Sequence, residues 1–143
     1  MAWLASHDRI FEPSRVRVRF LIIAALAYGV TELGRFVGRP YVRAHGLHDF
    51  GLTDSIGNLG GIVVQIFFAL AIINPIRVQS YRLAAFFAAG YVLYEFAQPY
   101  LPRGTFDWHD IWATVIGYGL AVLILRAVWR GLPASDRSAS PDR

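Results

Sequence analysis

"YEFAQPYLPRGTFDWHDIWATVIGYG", residues 94–119, joins two apolar runs through a link containing proline and glycine. It also sets Glu95, Gln98, Arg103, Asp107, His109 and Asp110 into a chain that is otherwise mostly apolar. The runs on either side decide the fold. They cover residues 81–101 and 108–129, and two more occupy 18–37 and 55–74. At a helical rise of about 1.5 Å per residue each is long enough to cross a hydrocarbon core of about 30 Å. The expectation is an all-α polytopic membrane protein with four transmembrane helices in one domain, residues 1–130. The stretch 131–143, "GLPASDRSASPDR", has no apolar period and reads as a disordered tail.

Composition points the same way. Hydrophobic residues make up 55% of the 143 and aromatic residues 15%, with only 17% charged, which is not the profile of a soluble domain. The absence of cysteine excludes disulfides and thiolate chemistry. All 14 basic residues are arginine, and they are dispersed along the chain rather than gathered into a patch, which argues against nucleic acid as a partner. Arg15, Arg17 and Arg19, followed by an apolar run with "ALA" at 25–27, imitate a signal peptide. Because the helical pattern continues to Val37 and three more runs follow, this run is expected to remain as a span.

The arginines orient the spans. Arg9, Arg15, Arg17 and Arg19, then Arg77 and Arg82, then Arg126, Arg130, Arg137 and Arg143 fall on one side, leaving Arg35, Arg39, Arg43 and Arg103 on the other. The positive-inside rule therefore puts both termini in the cytoplasm and the 38–53 and 102–107 loops outside. Most acids segregate outward: Glu32, Asp49, Asp54, Glu95, Asp107 and Asp110.

The two halves share a pattern. Laying Arg82 on Arg19 also lays Tyr91 on Tyr28, Glu95 on Glu32 and Gln98 on Arg35. Past a shorter loop, Asp110 falls on Asp54, Thr114 on Asn58 and Gly117 on Gly61. This reads as a duplicated two-helix unit whose copies are parallel, related by an axis along the membrane normal. Each glutamate lies roughly 20 Å from the inner boundary, at membrane depth. An ionisable group there faces protein or water rather than lipid. Two roles remain open for Glu32 and Glu95: a helix-locking partner of Arg35 or of a tyrosine, or a general acid, base or proton carrier.

Asp54, Asp107 and Asp110 stand at helix starts, where acids satisfy free N–H groups and the positive end of the dipole. Gly57 with Gly61, and Ala113 with Gly117, form small-xxx-small patterns that favour close helix packing. Asn58 and Gln65 share a face of the second span. Trp108, Trp112 and Tyr100 at one level, and Trp129 and Tyr81 at the other, read as interfacial anchors. His45, His48 and His109 are metal-ligand types, but their spacing is weak and they read as loop histidines; no metal or cofactor is expected. No phosphate-binding, serine-nucleophile or dinucleotide motif is present.

Glu95-x-x-Gln98, then Arg103, Asp110 and the Gly117-x-Gly119 region resemble the VanZ-like family of small bacterial membrane proteins. That family's pattern runs roughly E-x-x-Q, a loop arginine, then D-x-x-x-N-x-x-G. Thr114 stands where the pattern has asparagine, which Asn58 keeps in the first half. The resemblance implies a bacterial inner-membrane protein with a cell-envelope role. The expected site is an outward-opening polar pocket of Glu32, Arg35, Asp54, Asn58, Glu95, Gln98, Arg103 and Asp110. In it Arg35 and Arg103 would bind an anionic head group of a membrane lipid or of a lipid-linked envelope precursor, and Glu32 or Glu95 would be the catalytic group if there is one. The other reading is a structural subunit of a larger membrane complex.

Overall fold

The computed structural model describes residues 15–73, 77–102 and 104–131. Arg103, the N-terminal Arg9 and the 132–143 part of the tail lie outside the described residues. Those described form helices and connecting turns, with no strand among them. Helix α1 (Arg15–Leu33) runs through a π-helical turn (Gly34–Gly38) into α2 (Arg39–Ala44). Then come α3 (Ile56–Ile73), α4 (Arg77–Ala97), a 3₁₀ turn (Gln98–Tyr100) and α5 (Trp108–Arg130). Arg15–Ala44, Ile56–Ile73 and Trp108–Arg130 are each long and apolar enough to cross a membrane.

The first helical rod outruns the expected span. Gly34–Gly38 take a wider π turn without breaking the helix, and Pro40 falls in the first turn of α2, where its missing N–H costs little. A Gly-Arg-Pro sequence that reads as a loop is therefore helical.

Helix α3 is the hub. It packs on α1, α5 and α4, and Ile62, Ile66, Phe67 and Leu70 are all fully buried, as an all-round apolar helix requires. Neighbours alternate in direction. Phe20 of α1 meets Phe67 of α3 at 5.8 Å between ring centroids and Trp129 of α5 at 6.2 Å, near the end that carries Arg15 and Arg130. We call this the terminal end. Loop 45–55 and residues 104–107 occupy the opposite, loop end, where Phe96 stacks on Phe106 and both meet Trp108 edge-on. Trp108, Trp112 and Tyr100 stand exposed there, but Trp129, expected as an interfacial anchor, is buried against Phe20.

Two glycines set the spacing around the hub. The Cα of Gly60 lies under the Thr31 side chain of α1, and Gly117 of α5 lies against the Leu59 carbonyl of α3. The small-residue pattern anticipated Gly117 but chose Gly61 in place of Gly60. Gly61 faces only the Tyr91 hydroxyl, and Gly57 has open space around it.

Candidate functional site: polar groups at the loop end

The polar residues divide into an exposed layer and a buried junction. In the exposed layer Glu32 pairs with Arg35 at 2.9 Å along one helix face. Beyond it Arg39 Nε and Arg43 Nη2 both donate to the same oxygen of Asp54, Oδ1, at 2.5 and 2.8 Å. Arg35, Arg39 and Arg43 recur every fourth residue, and only the uninterrupted helix puts them on one side. Asp54 thus holds arginines and not helix N–H groups.

The segment 45–55 folds over the starts of α3 and α5. Asp49 accepts from the Thr53 N–H at 2.8 Å, the Thr53 hydroxyl at 2.6 Å and the Gly51 N–H at 3.2 Å, a carboxylate-centred turn. Phe50 and Gly51 take positive φ, 55° and 78°, and Gly51 lies against the His109 ring. At the start of α5, Asp107 caps the helix by accepting from the His109 N–H and from its Nδ1, each at 2.8 Å. A cleft of about 420 Å³ lies between these segments, lined by His48, Asp54, Ser55, Asp107 and His109 among others. His45 bonds the Tyr41 carbonyl and His48 packs on Phe50. Among the described residues no three histidines or acids group to hold a metal.

Hydrogen bonds depress the carboxyls of this layer: Thr53 acts on Asp49, Arg39 and then Arg43 on Asp54, and the His109 N–H on Asp107. A depressed carboxyl contributes stability that is present above the ordinary aspartate value and is lost as pH falls through the lower folded value. Hydrogen exchange of the 45–55 amides, corrected for its intrinsic pH dependence, is therefore expected to show protection at about pH 5 that is lost at about pH 2, below the ordinary aspartate range. Equal protection at both would show that these bonds do not hold it.

The buried junction lies deeper, where α3, α4 and α5 meet. Glu95 is 1% exposed and Thr114 fully buried. Asn58 Nδ2 donates to Glu95 Oε1 at 3.3 Å, while Glu95 Oε2 and Thr114 Oγ1 have no hydrogen-bond partner. The Gln98 amide stands beside Glu95, and the Asp110 carboxylate acts on it through space. Among the described residues no arginine or histidine pairs with Glu95. A cleft of about 380 Å³ is lined by Asn58, Gln65, Tyr91 and Tyr94.

The expected pocket thus separates into parts. Glu32, Arg35 and Asp54 belong to the arginine layer; Asn58, Glu95, Gln98 and Asp110 gather at the junction; Arg103 lies outside the described residues. Arg39, Arg43 and Thr114 are additions. Their signal was the four-residue arginine period and a hydroxyl at membrane depth. This is the site of an all-helical protein with three helices able to cross a membrane. No family model, curated protein or solved structure matches the chain.

Proposed function

We propose that the chain is a four-span bacterial inner-membrane protein of VanZ-like type, with both termini cytoplasmic, whose outward loop end binds an anionic head group. The ligand is a membrane lipid or a lipid-linked envelope precursor. The observation that carries this reading is the convergence of Arg39 and Arg43 on one oxygen of Asp54. Two guanidinium groups share one carboxylate, so positive charge is in surplus, and each guanidinium has five N–H donors of which that contact uses one. Asp54 also lines the cleft at the starts of α3 and α5, and so joins these arginines to it. Glu32 and Asp54 aim the arginines; no bond-making step is required of them. The fourth span would be α4, and the shared pattern of the two halves supports a duplicated two-helix unit.

The test is the lipid that accompanies the protein through purification in mild detergent, quantified by mass spectrometry. Arg39→Ala with Arg43→Ala is expected to reduce anionic lipid about tenfold, since charge-assisted hydrogen bonds contribute about 1.5–3 kcal/mol. The double lysine variant should fall between, because it keeps charge and loses the planar fork. Arg126→Ala at the other end should change nothing. Equal anionic lipid in the wild type and the double alanine variant, both folded, would replace this reading with that of a structural subunit.

A further inference from the structure

The junction of α3, α4 and α5 has a composition that the arginine layer does not explain. Three helices bring polar side chains to one level. Helix α4 runs antiparallel to α3, and the Asn58–Glu95 hydrogen bond fixes their register. Helix α5 runs parallel to α3 with Gly117 against the Leu59 carbonyl and Ile62. Thr114, three residues and about 4.5 Å nearer the loop end, therefore comes level with Asn58. Glu95 Oε2 and Thr114 Oγ1 are both buried and both without a hydrogen-bond partner.

We propose that this junction is a binding site for a small monovalent cation, coordinated by Glu95 Oε2 and Thr114 Oγ1, with Asn58 holding the other glutamate oxygen. A carboxylate removed from water needs a counter-charge or donors on both oxygens; Asn58 donates to Oε1, and even with the Gln98 amide beside the carboxyl Oε2 is left without a hydrogen bond. A buried polar atom left unsatisfied in a folded protein calls for a specific cause. An all-oxygen set selects a hard cation over a transition metal. One coordinating carboxylate balances one positive charge, and no group of three histidines or acids is present among the described residues to hold a divalent ion. The entry route is acidic. Asp110, one turn from Thr114 on the same face of α5, is partly exposed at the loop end and draws cations toward Glu95.

Thr114 is what makes the site. An asparagine there, as at the aligned position 58, would supply an amide N–H to the second glutamate oxygen and complete the junction internally. Threonine supplies a second oxygen instead. The site is separate from the arginine layer, and the proposal stands whether or not that layer binds lipid.

The experiment is thermal unfolding of the full chain in detergent, at constant ionic strength, in sodium, potassium, ammonium or choline chloride. At least one of the three small cations should raise Tm saturably over choline, on the order of 5 °C. The ranking of the three identifies the preferred ion. Thr114→Val should weaken the dependence, Glu95→Gln should abolish it, and Thr114→Asn should give a protein equally stable in all four salts. Arg39→Ala with Arg43→Ala should leave it unchanged. Identical melting of the wild type in all four salts overturns the proposal. So does a full cation response in Thr114→Asn, which tests the site even if Glu95→Gln does not fold.

Discussion

Gly117→Leu and Gly60→Leu are each expected to lower Tm sharply or prevent folding, whereas Gly119→Leu should leave the protein near wild type. The contrast between Gly117 and Gly119 is the informative one, since the two glycines are separated by a single tyrosine on one helix. A Cβ at 117 would run into the Leu59 carbonyl and the Ile62 side chain. The carbonyl is backbone and cannot rotate away, so α3 and α5 must separate. That costs about 3 kcal/mol, the upper end for overpacking. A Cβ at 60 would meet the Thr31 side chain, itself tied back to the Ala27 carbonyl at 2.7 Å. Gly119 has nothing within 4 Å, and a leucine there would point into open space, with a change of at most about 0.5 kcal/mol. Unfolding measured by intrinsic fluorescence in detergent separates the three. A Gly117→Leu protein with wild-type Tm would mean that α3 and α5 do not approach as described.

A reporter fused at residue 77 is expected to read cytoplasmic and one at residue 102 external, an outcome that would make α4 a fourth span. Helix α4 is long enough, about 30 Å for its 21 residues, but with Arg77, Arg82 and Glu95 in it, it is not among the helices apolar enough by composition to cross a membrane. The reason is where its polar groups point. Ser80 and Glu95 are buried inside the bundle, while Phe86, Leu93 and Phe96 are exposed, as a lipid-facing surface requires. Arg77 and Arg82 lie in its first two turns, close enough to the boundary for their long side chains to reach the head groups. A hydropathy average charges Glu95 as though lipid saw it. If both reporters read on one side, α4 does not cross, and the loop end cannot be a single external surface.

What the sequence determined by itself was the all-helical class, the spacing of its apolar runs and the residue types at membrane depth. Runs of about 20 apolar residues can satisfy their backbone only as helices, so local composition suffices for these. The glutamate at 95 stood out for the same reason: a carboxyl in an apolar run has no innocent exposed position. Only the tertiary structure decided which polar groups meet. The repeat pattern treated Glu32 and Glu95 alike, yet Glu32 has Arg35 one turn away on its own helix while Glu95 is enclosed by α3 and α5. Arg39 looked like a loop residue because a glycine and a proline flank it, and Arg43 lay in the same expected loop. The π turn keeps the helix continuous and carries them over Asp54, a contact between residues far apart in the chain. Gly60, not Gly61, carries the tight α1 contact because helix rotation, a property of packed pairs, chooses between adjacent positions. Thr114 became notable once Gly117 fixed the register of α5 on α3 and left its hydroxyl level with Asn58.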